Sequence, residues 1–287
     1  MKQYFKGWYF KVQSDKQAVA IIPAMHIDKS RKKSASIQII TESAAWALWF
    51  PYDQFICKGN QLQIKIGDNE FTQQGLKLHI ETDTVSAYGD LQFGPLTPLA
   101  YDIMGPFCYV PFMECRHSVF SMTHQVKGTL HINQKEYRFD ESVGYIEGDR
   151  GRSFPSVYLW TQCNFFDETP NSIMLSVAKI PLGFLDFTGI IGVIFWHGKE
   201  YRIATYLGAK VVKIGKGEIV IKQGGLKLTA VLIEKQGSLL YAPVSGNMER
   251  LIHESLFCTA YYMLEEDDRK IFEFRSDRAS FEYEYDQ

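Results

Sequence analysis

Gly144-Tyr145-Ile146-Glu147-Gly148-Asp149-Arg150-Gly151-Arg152-Ser153-Phe154-Pro155 runs directly into Ser156-Val157-Tyr158-Leu159-Trp160-Thr161-Gln162-Cys163-Asn164-Phe165-Phe166. The first half packs two acids, two arginines and three glycines into what reads as a turn. The second half reads as a strand. Side chains of a strand alternate between faces, so Tyr158, Trp160, Gln162 and Asn164 share one side. That side is neither an aliphatic core face nor an ordinary solvent face. Polar groups set among aromatic walls suit a lined cavity.

The period of two extends outward from this stretch in both directions. Trp8–Val12, Ala18–Ala24 and Ser34–Thr41 read as strands. Gly75–Glu81 alternates Leu76, Leu78 and Ile80 with Lys77, His79 and Glu81. Val126–Ile132 and Glu136–Phe139 flank a turn at Asn133-Gln134. Phe281, Tyr283 and Tyr285 alternate with Glu282, Glu284 and Asp286, which reads as a closing edge strand with its acids in water, or else as a frayed end. Phe93–Phe112 carries four prolines and reads as an irregular connection, with one short helix near Tyr109–Ser118. No helical period is sustained. So many short strands exceed what one open sheet holds, which predicts an all-β chain of two consecutive antiparallel barrels. The expected units are residues 1–115 and 116–287, the second carrying the Gly-Asp-Arg-Gly-Arg-Ser-Phe-Pro motif.

The 287 residues are 46% apolar and 14% aromatic, with a formal net charge of -2. A chain of that composition buries a core. It lacks the broad basic footprint of a nucleic-acid binder, so no nucleic-acid partner is expected. Five cysteines, an odd number with no C-x-x-C pair, point to reduced thiols. No secretory signal is readable at the N-terminus, and the longest apolar run is too short to span a bilayer. A cytoplasmic location follows, with membrane contact limited to peripheral. The oligomeric state is not readable.

Three kinds of chemistry compete. Glu147 or Asp149 in a shielded pocket would have a raised pKa and act as a general acid, with Arg152 orienting that acid or an oxygen nucleophile. Read for structure alone, the same charges make an ion-paired barrel corner. Glu114, His117 and His124 lie close in sequence. On a helix, Glu114 and His117 would be neighbours able to hold a metal; as polar residues hydrogen-bonded to backbone, or lining the cavity of Trp160, they need none. A phosphate loop is excluded, because the motif lacks a Lys-Ser/Thr pair and a following helix.

Residues 145–155 with Trp160-Thr161-Gln162-Cys163-Asn164 resemble the signature of the tocopherol cyclase family, and Phe5-Lys6-Gly7-Trp8-Tyr9-Phe10-Lys11 resembles its opening. Glu114–Gly128 and Ala178–Pro181 extend the likeness more thinly. The resemblance implies a pair of lipocalin-like barrels. It also implies cofactor-free, acid-driven closure of a prenylated quinol to a chromanol, with Glu147, Asp149, Trp160, Gln162 and Asn164 at matching positions. Two positions depart from the pattern: Lys6 stands where an acid is usual, and Arg150 where a tryptophan is common.

Two function classes follow. One is a cofactor-independent cyclase, isomerase or hydratase for an isoprenoid-like apolar substrate. Asp149 or Glu147 would donate the proton, with Tyr158, Trp160, Gln162, Asn164, Glu114, His117 and His124 around the substrate and no metal. The other is a barrel that carries a lipophilic small molecule unchanged.

Overall fold

The computed structural model describes residues 3–58, 62–110, 113–166, 170–182, 185–234, 238–244 and 247–285. Eleven strands make the first sheet: β1 (Tyr4–Gln13), β2 (Ala18–Ile27), β3 (Lys33–Thr41), β4 (Ala45–Pro51), β5 (Phe55–Cys57), β6 (Gln63–Ile66), β7 (Asn69–Thr72), β8 (Gly75–Glu81), β9 (Ser86–Phe93), β10 (Cys115–Ile132) and β11 (Lys135–Gly151). The second sheet holds β12 (Tyr158–Phe166), β13 (Pro170–Leu182), β14 (Leu185–Trp196), β15 (Lys199–Ala204), β16 (Lys210–Gly215), β17 (Glu218–Gln223), β18 (Leu226–Glu234), β19 (Ser238–Val244), β20 (Asn247–Glu266) and β21 (Arg269–Tyr283).

Both sheets share one plan. Each runs back through its first four strands, then to its last long hairpin, then into its middle strands: β4-β3-β2-β1-β11-β10-β9 in one and β15-β14-β13-β12-β21-β20-β18 in the other. Every pairing described is antiparallel, as hairpin connections allow. Each sheet curls into a near-barrel around one apolar cluster. Trp8, Phe10, Ile37, Ile39, Phe71 and Phe139 fill the first. Leu159, Ile173, Leu175, Ile219, Tyr262 and Phe281 fill the second. The all-β class and the paired barrels expected from the sequence are therefore present. In β8, Leu76, Leu78 and Ile80 face the core while Lys77, His79 and Glu81 are exposed.

Three expectations need correction. A boundary at 115/116 assigns β10 and β11 to the second unit, but their ladder is hydrogen-bonded to β1 and β9. Residues Cys115–Ser153 thus cluster with Met1–Ala100, and Tyr101–Glu114 with Phe154–Leu239. The short helix near Tyr109–Ser118 is a 3-10 turn at Gly105–Tyr109, and β10 begins at Cys115. Finally, Gly144–Gly151 is not a turn but the extended end of β11.

The glycines of that strand make room for rings. A Cβ on Gly148 would sit 2.9 Å from the Gly7 carbonyl oxygen and 3.1 Å from both the Phe120 and Trp8 rings. Gly148→Ala is expected to destabilise the protein by about 1–3 kcal/mol through overpacking. Urea unfolding measures it, and an unchanged midpoint would mean the wall yields freely.

Candidate functional site

A strand places alternate residues on one side, and its neighbour places the directly opposed residues on the same side. Tyr145, Glu147 and Asp149 therefore form one row on β11, turned away from the apolar cluster that takes Ile146. On β10, His117 lies opposite Asp149, and on β1, Tyr9 lies opposite Glu147. Three titratable groups from two strands meet there.

His117 sits between both acids. Its Nδ1 is 3.0 Å from Asp149 Oδ1, in a hydrogen bond, and its Nε2 is 3.2 Å from Glu147 Oε2. The Nε2 contact lacks hydrogen-bond alignment, so it acts as charge proximity rather than a directed bond. The Tyr145 hydroxyl donates to the same Glu147 oxygen at 2.6 Å, and the Cys115 thiol donates to Asp149 Oδ1 at 3.4 Å. Burial by itself lowers the His117 pKa, but the flanking Asp149 and Glu147 charges outweigh it and hold the ring well above its ordinary value. Burial, reinforced by Glu147, pushes the Tyr145 phenol well above its ordinary value. The raised pKa favours an imidazolium at His117, held between Glu147 and Asp149.

Glu147 is the closed member and Asp149 the more open one, with side chains 7% and 20% exposed. Among the described residues, these three also form the cluster of metal-ligand type. A metal-bound imidazole offers a lone pair to the ion, whereas His117 turns both nitrogens to carboxylates. The arrangement suits proton storage better than ligation.

The other candidates fall elsewhere. Glu114 lies half-buried on the bend before β10, and Arg152 on an exposed bend after β11. His124 opposes Gly144, an odd number of residues from Asp149, and so faces the other side of the ladder. There its Nδ1 bonds Ser121 Oγ at 3.0 Å, and its ring meets Phe93 edge-on. Burial lowers its pKa to about 4, which keeps it neutral. The triad Glu114, His117 and His124 is therefore not assembled, because the segment is strand rather than helix.

In the second unit, Tyr158, Trp160, Gln162 and Asn164 oppose Ala178, Ser176, Met174 and Ser172 on β13. All four are buried, on the face of β12 opposite Leu159 and Cys163. The Tyr158 hydroxyl donates to Glu282, and Gln162 Nε2 donates to Asn164 Oδ1. Glu282 and Glu284 are buried, and β21 is paired on both sides, by β12 and β20. The reading of that tail as an edge with its acids in water is thus corrected; Asp286 lies outside the described residues.

No helix among the described residues is long and apolar enough to cross a membrane. Among solved structures, kievitone hydratase from Nectria haematococca overlays at a TM-score of 0.58 with 11% identity, covering 99% of this chain and 89% of that one. CghA with Sch210972 overlays at 0.59 with 10% identity and the same coverages. A putative AttH from Nitrosomonas europaea gives 0.54 and 9%, covering 99% and 93%. These likenesses establish the double lipocalin-like fold. Among curated proteins, a probable chloroplastic tocopherol cyclase of Oryza sativa subsp. japonica is 26% identical over 133 residues, 45% of this chain and 27% of that protein. The chloroplastic tocopherol cyclase of Zea mays is 25% identical over 179 residues, 59% and 36% of the two chains. The match thus spans about a third or less of those relatives. The family described as tocopherol cyclase-like matches residues 65–283, and the chain belongs to it.

Proposed function

We propose that this protein is a cofactor-independent cyclase or isomerase that protonates an apolar, isoprenoid-like substrate. The buried His117 imidazolium between Glu147 and Asp149 carries the reading. Acid-driven cyclisation needs a proton held in a dry place and delivered to a carbon–carbon double bond. The proton that His117 Nδ1 shares with Asp149 passes through Asp149, the more open member, to the double bond, and the phenol proton released on ring closure returns to the pair. Glu147, held by Tyr145 and His117, fixes the ring and balances its charge. The relatives named tocopherol cyclase support a prenylated quinol as substrate class.

Incubation with a prenylated hydroquinone, followed by chromatography and mass analysis, tests the reading. A new compound of identical mass with one fewer free phenol is the expected result. Recovery of the quinol bound but unchanged replaces the enzyme by a carrier.

A further inference from the structure

The meeting of His117 with the two acids depends on the register of β10, and that register is irregular. From Val119↔Glu147 to His124↔Gly144, β10 advances five residues, 119 to 124, while β11 advances three, 147 to 144. The extra residues are taken up as two bulges in β10. A slip of one residue turns a side chain to the other face, so His117 opposes Asp149 only while both bulges persist. Bulged backbone has no regular ladder to fix it and needs other partners.

Ser121 provides them. The neighbouring strand β9 ends at Phe93, opposite Val126. The chain beyond it follows the bulges: Gly94 N donates to Gln125 O and Met122 N to Thr97 O, each at 2.9 Å. Thr97 N donates to Ser121 Oγ at 3.0 Å, and the Ser121 hydroxyl donates to Thr123 O at 3.0 Å. His124 Nδ1 stands 3.0 Å from the same Oγ. A hydroxyl has one proton and two lone pairs. The proton goes to Thr123 and one lone pair to Thr97, so His124 Nδ1 carries a hydrogen and donates to the other. Its Nε2 has no hydrogen-bond partner and is buried against Gly144, where a Cβ would lie 2.3 Å away. The ring is thus a wedge between Gly144 of β11 and the Phe93 ring, tied by its other nitrogen to the hydroxyl that holds the bulges.

We propose that Ser121 and His124 are positioning residues: together they lock the two bulges of β10 and so keep His117 between Glu147 and Asp149. His124 acts through the strand, from the side of the ladder opposite the acids. As an account of register the lock stands by itself. As an account of catalysis it rests on the proton-donor reading given above.

NMR titration of the His117 imidazole tests it, together with turnover of a prenylated hydroquinone. His124→Leu keeps bulk but loses the donor, and Ser121→Ala loses the shared oxygen. In both, His117 should leave the acids and titrate lower by about 1–3 pH units. Turnover should fall about 10²-fold, as for a small misplacement of reacting groups. Ser121→Cys keeps most of the shape with only a weak acceptor, so it should fold and move the titration the same way by less. His124→Asn still presents an N–H to Ser121, so the His117 titration should hold and turnover stay within about tenfold of wild type. His26→Leu is the control. It removes an equally buried histidine, bonded to Ser36 Oγ at 2.8 Å on β2 and β3, and should lower stability without moving His117. A His117 titration that stays put in every folded variant among His124→Leu, Ser121→Ala and Ser121→Cys overturns the proposal. So does an equal shift in His26→Leu, or His124→Asn behaving as His124→Leu does. A shifted titration without wild-type turnover keeps the lock and removes the catalytic reading. Turnover that is lost in Asp149→Asn, with the titration unmoved in the lock variants, does the reverse.

Discussion

His117→Leu is expected to destabilise the protein by about 3–5 kcal/mol at neutral pH, the usual consequence of removing one partner from a buried ion pair. Leucine fills the space but leaves Glu147 and Asp149 without the cation between them. The same cluster sets a pH dependence. The folded His117 pKa lies well above 6.5, so the ring binds its proton more tightly in the folded chain. Its contribution is fully present below about pH 6.5 and is lost as pH rises through the raised folded value. Wild-type stability should therefore decline on the alkaline side, and the leucine variant should lack that part of the slope. Denaturant unfolding at a series of pH values reads both. A loss under about 1 kcal/mol together with a shared alkaline slope would show that His117 is not a clamped cation.

Asp149→Asn carries the largest expected effect on activity. Asparagine has nearly the same shape and still offers an oxygen to His117 and Cys115, but it cannot take up the His117 proton and pass it on. Turnover of a prenylated hydroquinone should fall about 10²- to 10⁴-fold, the usual range for a general acid. Melting temperature should fall less than in His117→Leu, since Glu147 still faces the ring and Asp149 is the more open acid. Glu147→Gln should differ in kind. It disturbs the closed end held by Tyr145, so stability and activity should decline together. Full turnover by the Asp149 variant would remove it as the donor.

How much of this was legible in the sequence depends on distance along the chain. The shared face of Tyr158, Trp160, Gln162 and Asn164 follows from local alternation, and the ladder to β13 bears that alternation out. The meeting of His117 with Glu147 and Asp149 does not follow from anything local. Counting back residue for residue from the Ile132↔Lys135 pair sets His117 opposite Arg150. The register shifts in the β10–β11 ladder move it to Asp149, and a slip of one changes the face. Bulges leave no clear mark in the residues that make them. Glu282 and Glu284 were misplaced for a related reason: alternation of acids with aromatics defines two sides of a strand, but not which side another element covers. The reading of Gly144–Gly151 as a turn failed because glycine serves close packing as well as bends. Gly148 is small because Trp8, Phe120 and the Gly7 backbone press against it.

The pairing of β1 with β11, from Phe5↔Gly151 to Gln13↔Val143, bears on how the chain is made. On the ribosome, one side of the first strand stays without its hydrogen-bonding neighbour until position 151 has emerged. At ~5–20 residues per second that wait lasts about 7–30 s. Through this interval an apolar strand with an open edge is exposed to every other nascent chain nearby. Yield in the cell should then depend on chaperone supply and growth temperature more than the stability of the finished molecule suggests.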